Sequence, residues 1–148
     1  MRLLILTCAA AGALCGVLAA ADQNKATTRE ILALERQAMD GWLTGNPDPV
    51  LTMSDLEITY FHAVANKRLD GLPALKALFE GYRGIPLFDS YEMAAPKVQT
   101  AGETAILTYV LVRHVGTATT RWNATQVYQR KKEGWRVIHS HWSEAKEP

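Results

Sequence analysis

The feature of this sequence that most constrains its fold is a change of hydrophobic period near Pro86. Before this residue, apolar side chains recur at helical spacing. After it, four runs rich in β-branched and aromatic residues follow one another, at residues 91–99, 104–115, 119–130 and 135–143. Helices followed by a meander of long antiparallel strands predict an α+β fold. We expect a strongly curved antiparallel sheet wrapped around the N-terminal helices.

The segment before the strands predicts a long first helix. Thr27 and Glu30 form a capping box that predicts its start, and Gly45 marks its end. Its apolar stripe consists of Ile31, Leu34, Ala38 and Trp42, widened by Leu32, Met39 and Leu43. This stripe is the surface expected to pack on the sheet.

A strand and a second helix are predicted between the first helix and Pro86. Residues 57–62 are predicted to form a strand that pairs with residues 65–69. Asp70 is predicted to cap the second helix, and Pro73 lies in its first turn.

Residues 1–21 have the order of a secretory signal peptide. Arg2 precedes an apolar run over residues 3–18, and three alanines end the segment at Ala21. We expect cleavage near Ala21, which leaves one domain over residues 22–148 in a secreted or periplasmic location. Because the apolar run nearly reaches the roughly 20 residues that a spanning helix needs, an uncleaved membrane anchor is the alternative.

Composition excludes two classes of function for the domain that follows the leader. Both cysteines, Cys8 and Cys15, lie in the leader, so residues 22–148 carry no disulfide, thiol nucleophile or thiolate metal site. The formal net charge of +1 excludes a chain-wide basic field for nucleic acid. The basic run at residues 130–132 is predicted to be a solvated turn.

Short motifs over residues 28–143 carry a family resemblance. They are Thr59-Tyr60-Phe61-His62, Leu69-Asp70-Gly71-Leu72, Ala95-Pro96-Lys97-Val98-Gln99, Thr108-Tyr109-Val110, the run from Arg121 to Tyr128 and the run from Gly134 to Ser143. In this order they resemble the SnoaL-like and nuclear transport factor 2-like superfamily. The most similar members are the association domain of calcium/calmodulin-dependent protein kinase II and its free-standing bacterial relatives. The terminal Trp-x-x-x-His-x-His-x-Ser run is the most specific motif.

The resemblance implies a cone-shaped half-barrel with a pocket between sheet and helices, and dimers formed by sheet packing. The kinase activity does not carry over, because the sequence contains no kinase domain and no glycine-rich phosphate loop. A shared scaffold does not fix the function.

The resemblance also places a ligand pocket on one face of the strands. Its expected residues are Tyr60, Tyr109, Arg113, Trp122, Gln126 and Trp142. In the kinase domains, arginines occupy the positions of Leu111, Gln126 and Trp142 and make the pocket suitable for anions. Their absence here predicts a largely apolar pocket, although Arg113 partly replaces the lost charge. The alternative is that the aromatic side chains simply fill the core.

Strand alternation sorts the last strand into two faces. Trp135, Val137, His139, His141 and Ser143 are predicted on one, and Arg136, Ile138, Ser140 and Trp142 on the other. A zinc site at His139 and His141 needs a third ligand such as His114. The favoured interpretation is a polar cross-strand network at a dimer interface, with Arg121, Asn123 and Thr125. We predict no metal and no cofactor.

The presence or absence of a carboxylate in the pocket distinguishes an enzyme from a binding module. Between Thr104 and Ser143 the only acid is Glu133, which lies in a predicted turn. A general base would come from His62, Asp40, Glu57 or Glu92. The sequence therefore predicts a pocket without a carboxylate and favours a non-catalytic, homo-oligomerising module that binds a small ligand. The alternative is a cofactor-independent isomerase, dehydratase or hydrolase that uses His62 as base and Tyr109 or Gln126 as hydrogen-bond donor.

Overall fold

A computed structural model describes residues 9–62 and 67–146, with side chains from residue 21 onward. The elements are α1 (Ala9–Trp42), α2 (Asp48–Met53), β1 (Ser54–Phe61), β2 (Leu69–Asp70), α3 (Leu72–Glu80), β3 (Ser90–Ala101), β4 (Thr104–Val115), β5 (Ala118–Lys131) and β6 (Gly134–Glu144). The predicted α+β class and the order of the elements are confirmed.

The six strands form one curved, unclosed sheet in the order β2-β1-β6-β5-β4-β3. Neighbours from β3 to β6 are antiparallel, as predicted. Outside this meander, β1 pairs with β6 in parallel. The chain leaves β1 for α3 and returns to it only after β3, β4 and β5, so no local hairpin sets this pairing.

Helix α1 packs its buried face against the sheet. Ile31, Ala38, Met39 and Trp42 are buried along this helix and belong to the hydrophobic core. The Trp42 ring meets the edge of the Phe79 ring of α3 at a centroid distance of 5.1 Å. The helix stripe predicted from the sequence is therefore the surface that closes the inner side of the sheet.

The predicted start of the first helix is wrong. α1 runs without a break from Ala9, so Thr27 and Glu30 lie inside the helix and cannot form a capping box. Instead, a Glu30 carboxylate oxygen accepts hydrogen bonds from Trp135 Nε1 at 3.0 Å and from an Arg130 terminal nitrogen at 3.2 Å. Residues 9–21 form the beginning of α1, and residues 1–8 of the leader lie outside the described residues.

The second predicted helix begins one residue later than expected. Asp70 belongs to β2 and pairs with Arg68, whereas Gly71 is the N-cap residue and has a φ of 85°. Pro73 lies in the first turn, as predicted. Of the predicted partner strand, residues 65 and 66 lie outside the described residues, and β2 contains only Leu69 and Asp70.

A β-bulge in β6 overturns the predicted alternation of this strand. Tyr128 pairs with Val137 and Val127 pairs with His139, so Ile138 is an extra residue in β6. An extra residue moves every following side chain to the opposite face. The inner face therefore carries Trp135 and Val137 together with Ser140 and Trp142, whereas His139 and His141 point outward. On β4 and β5 the inner face carries the expected pocket residues Tyr109, Arg113, Trp122 and Gln126.

In the part of the chain that the structure describes, no helix combines the length and the apolar composition needed to cross a membrane.

Candidate ligand cavity and outer sheet face

A cavity of about 270 Å³ lies between the three helices and the inner face of the sheet. Most side chains that line it are apolar or aromatic. They are Ala38, Met39, Trp42, Val50, Met53, Ile58, Tyr60, Leu75, Leu78, Phe79, Tyr82, Leu87, Phe88, Leu111, Trp122, Val137 and Trp142. This lining favours a ligand with a large apolar surface.

Glu35 of α1 places a carboxyl group in this lining. It is 2% exposed. Tyr109 Oη donates a hydrogen bond to Glu35 Oε1 at 2.6 Å, and Tyr128 Oη donates to Glu35 Oε2. Gln126 is a third hydrogen-bonding side chain. Burial raises the pKa of Glu35 above its usual value, and these hydrogen bonds act in the opposite direction.

The prediction of a cavity without a carboxylate is wrong. The acid comes from α1, the helix that also carries the proposed base Asp40, and not from a strand. Glu35 follows Ile31 by four residues and precedes Met39 by four, so helical spacing puts it in the middle of the buried stripe. An acid inside an apolar helical stripe was the signal that could have located this group.

The two tyrosines that hold Glu35 remain neutral. Burial, and then the nearby Glu35 carboxyl, raise the pKa of both the Tyr109 and the Tyr128 hydroxyl well above the usual value. Both hydroxyls therefore stay protonated and act as hydrogen-bond donors. No lysine or arginine among the described residues forms an ion pair with Glu35.

Two further polar side chains lie side by side in the cavity wall. Gln126 of β5 and Ser140 of β6 are cross-strand partners, and each is about 5% exposed or less. Ser140 Oγ accepts a hydrogen bond from Trp142 Nε1 at 3.0 Å. The wall next to Glu35 can therefore pair with an uncharged polar group of a ligand.

Three half-buried side chains, His62, Arg113 and Trp122, form a second polar region, which we call the mouth cluster. The Arg113 guanidinium lies 4.8 Å from the centre of the Trp122 ring. The His62 ring stacks on Trp122 at 5.2 Å and on Tyr60 at 6.0 Å. Arg113 Nε donates a hydrogen bond to Thr120 Oγ1 at 3.2 Å. Stacking on both sides fixes the orientation of the imidazole.

The mouth cluster holds a neutral histidine next to a cation. Burial, and then the charge of Arg113, lower the pKa of His62, so its imidazole is neutral at pH 7. Burial also lowers the pKa of Arg113, which stays charged because its usual value is far above neutrality. Glu144 acts on Arg113 electrostatically but forms no ion pair with it.

The structure brings most of the predicted pocket residues to the cavity. Tyr60, His62, Arg113, Trp122, Gln126 and Trp142 line it, and Tyr109 lies behind Glu35. The other proposed bases do not line it. Asp40, Glu57 and Glu92 are exposed, and Asp40 accepts a hydrogen bond from Tyr91 Oη at 2.7 Å.

The residues of the predicted polar network lie on the outer face of the sheet, and no described side-chain hydrogen bond joins Arg121 or Asn123 to the two histidines. His139 Nδ1 is hydrogen-bonded to Thr59 Oγ1 at 2.8 Å, and the Phe61 ring contacts both His139 and His141. Burial, then His141 and Arg68, lower the pKa of His139. Arg121 and Asn123 are exposed on β5.

His114 does not join this histidine pair. It lies near the end of β4, where its Nδ1 is hydrogen-bonded to Thr119 Oγ1 at 3.0 Å. Across residues 9–62 and 67–146, no three histidine, cysteine, aspartate or glutamate side chains are grouped as metal ligands.

A half-open cone of sheet around helices, with a cavity inside, defines a domain of the nuclear transport factor 2-like class. The chain belongs to the calcium/calmodulin-dependent protein kinase II association domain family, whose sequence model matches residues 27–146. The resemblance inferred from the motifs is thereby confirmed. A comparison with curated proteins gives no match.

Solved structures with the same fold include both bacterial and eukaryotic proteins. A candidate ketosteroid isomerase from Parabacteroides distasonis is 31% identical, with a TM-score of 0.71 over 78% of this chain and 86% of that chain. A nuclear transport factor 2-like protein of unknown function from Pseudomonas putida is 24% identical, with a TM-score of 0.74 over 83% and 89%. The kinase II hub of S. rosetta is 27% identical, with a TM-score of 0.64 over 79% and 95%.

Proposed function

We propose that this protein is an extracytoplasmic, homo-oligomerising and non-catalytic module whose cavity binds a small, largely apolar molecule. The observation that carries the proposal is the cavity itself. Its 270 Å³ correspond to roughly nine water volumes, surrounded mainly by apolar side chains. Protein interiors rarely leave such a space open, because each void forfeits packing contacts. A ligand of matching shape recovers those contacts.

The outer face of the sheet supports self-association. All three helices pack on the inner side, and the middle of the outer face consists of small, polar and histidine side chains at half-buried or exposed positions. They include Thr108, Val110, Asn123, Thr125, His139 and His141. Members of this family are described as association domains and hubs. A second copy placed against the same face forms a symmetric pair.

Native mass spectrometry of the protein, expressed with its leader, tests the proposal. We expect an oligomer that retains or takes up an apolar molecule, and a protomer mass that starts at Asp22 if the leader is cleaved after Ala21. A monomer that binds no apolar small molecule contradicts the module. A protomer that keeps residues 1–21 contradicts the cleavage.

One pair of variants tests which face associates. Thr125 lies at the centre of the outer face, between Thr108 of β4 and His141 of β6. We expect Thr125→Lys to dissociate the oligomer, because two copies of the new charge meet near the symmetry axis. Thr117→Lys adds the same charge in the exposed β4–β5 turn and should leave the oligomer intact. An oligomer that survives Thr125→Lys rules out association through this face.

A cofactor-independent proton-transfer enzyme is the second candidate, favoured by two titratable groups in the cavity lining. His62 presents a neutral imidazole and Glu35 a carboxyl with a raised pKa, both suited to proton transfer. The test is deuterium incorporation from heavy water into a panel of apolar enolisable ketones, followed by NMR. Incorporation that His62→Ala abolishes supports the enzyme. Incorporation at the rate of buffer alone supports the binding module.

A further inference from the structure

The two ends of the cavity differ in charge, and this difference gives a direction to any charged ligand. At the inner end, Glu35 is enclosed by Tyr109, Tyr128 and Gln126. An anionic ligand group at this end meets a carboxyl group and no cation, whether or not Glu35 is ionised. The inner end therefore disfavours anions and accepts apolar or uncharged polar groups.

At the opposite end, the terminal N–H groups of Arg113 are available to bind an anion. Its Nε is bonded to Thr120, and its four terminal N–H groups have no hydrogen-bond or ion-pair partner among the side chains that the structure describes. Half-burial of an arginine costs solvation, which a carboxylate repays through paired, charge-assisted hydrogen bonds. Beside it, the buried Trp122 Nε1 also lacks an acceptor in the described part of the chain.

The two ends are separated by an apolar stretch. Tyr109, Leu111 and Arg113 are successive inward positions on β4, so the residue that binds Glu35 and the arginine lie about 13 Å apart along the strand. Leu111 lies between them, and the facing helices contribute Trp42 and Phe79. The space between the two ends is therefore walled by apolar side chains.

From this arrangement we infer that the cavity ligand is an amphipathic monocarboxylate, bound with its apolar body inward and its carboxylate outward on Arg113. The inference rests on the proposed binding function and names its ligand class.

Fatty acids and a matched alcohol test both the class and the direction. Hexanoate, octanoate, decanoate and 1-decanol are titrated into the full protein, and the fluorescence of the cavity tryptophans is followed. We expect about fourfold tighter binding per added methylene until the cavity is full. We also expect decanoate to bind about tenfold or more tightly than 1-decanol, because only the carboxylate pairs with Arg113.

Three variants separate the possible outcomes. Arg113→Gln should cost decanoate about tenfold or more in affinity and leave 1-decanol unchanged. Arg113→Lys should retain part of the preference, since the charge remains without the paired geometry. Arg36→Gln removes the same charge from an exposed site on α1 and should change neither ligand. Glu35→Gln should change decanoate affinity less than Arg113→Gln does, because the carboxylate of the ligand binds at the other end and Coulomb interactions weaken with distance.

Three other outcomes would contradict the ligand class, the direction of the ligand or the pocket itself. Equal binding of decanoate and 1-decanol, or a decanoate affinity that Arg113→Gln leaves unchanged, overturns the inference and leaves the apolar pocket standing. A large gain of decanoate affinity in Glu35→Gln overturns the proposed direction. Absence of binding by every probe overturns the pocket of the proposed function and the ligand class with it.

Discussion

The inner and the outer face of the sheet are built from the same strands, β4, β5 and β6, and differ in what covers them. Inward side chains pack against helices, and the inward hydroxyls of Tyr109 and Tyr128 donate hydrogen bonds to Glu35 of α1. Outward side chains such as Asn123 and His141 meet solvent within one chain. A change on the inner face should therefore alter the stability of the protomer, and a change on the outer face should alter association.

The largest effect on protomer stability is expected when the Glu35 carboxyl group is removed. Glu35→Ala leaves the buried hydroxyls of Tyr109 and Tyr128 without their acceptor and creates a void. We expect the free energy of unfolding to fall by about 2–5 kcal/mol. Urea denaturation measures it, and Glu57→Ala, which truncates an exposed glutamate, is the control. Equal losses of unfolding free energy in the two variants would show that the hydrogen bonds of Tyr109 and Tyr128 to Glu35 do not stabilise the fold.

A single inner hydroxyl should matter less than the whole carboxyl. Tyr128→Phe removes one donor from Glu35 without changing the ring, and we expect a loss of about 1.5–3 kcal/mol in the free energy of unfolding. Tyr82→Phe deletes a hydroxyl from a partly exposed tyrosine and should cost little. If the two variants unfold at the same urea concentration, the Tyr128–Glu35 hydrogen bond contributes nothing net.

The inner face should also make stability depend on pH. Because the folded-state pKa of Glu35 lies above its usual value of 4.5, the folded protein holds a proton that the unfolded chain has released between these two values. The stability from this group is present below pH 4.5. It is lost as pH rises through the folded-state pKa, by up to about 1.4 kcal/mol per pH unit.

Glu35→Gln should remove this pH dependence, because glutamine does not titrate. The measurement is urea denaturation of the wild type and the variant at intervals from pH 4.5 to about pH 8. Parallel stability curves over this range would mean that burial does not raise the pKa of Glu35.

The smallest effect on the protomer is expected from the outer face. Asn123→Ala removes an exposed side chain, and we expect the free energy of unfolding to change by less than about 0.5 kcal/mol. Association adds to apparent stability, so the measurement is made below the concentration at which copies associate. If Asn123→Ala lowers the free energy of unfolding of the protomer as much as Tyr128→Phe does, the two faces do not differ in their contribution to stability.

Local sequence pattern predicted the parts of this fold that local chemistry determines. The helical stripe from Ile31 to Trp42 identified the buried face of α1, and the family resemblance identified Tyr109 and Gln126 as inward residues. The parallel pairing of β1 with β6 joins segments about eighty residues apart, as in the contact of Thr59 with His139 at a separation of 80, and no local pattern encodes it.

The candidate site was predicted less completely, for two physical reasons. Asp40 was the acid proposed from the first helix, whereas the carboxyl group in the cavity belongs to Glu35, inside the apolar stripe of the same helix. The bulge at Ile138 has no signature in the amino-acid pattern, because β-branched and apolar residues continue through it. The position of Glu35 over the sheet and the bulge in β6 both depend on how two elements pack or pair. Periodicity within one element carries no information about such contacts.

The bulge at Ile138 determines which side chains at the end of β6 face the cavity and which face outward. With the extra residue, Ser140 and Trp142 belong to the interior and His139 and His141 to the exterior. If β6 paired without this bulge, the same sequence would exchange the two sets and bring a pair of imidazoles into the cavity in place of an indole and a hydroxyl. One irregularity of backbone pairing thus determines the chemistry of the cavity wall, because a shift in strand phase replaces several side chains at once.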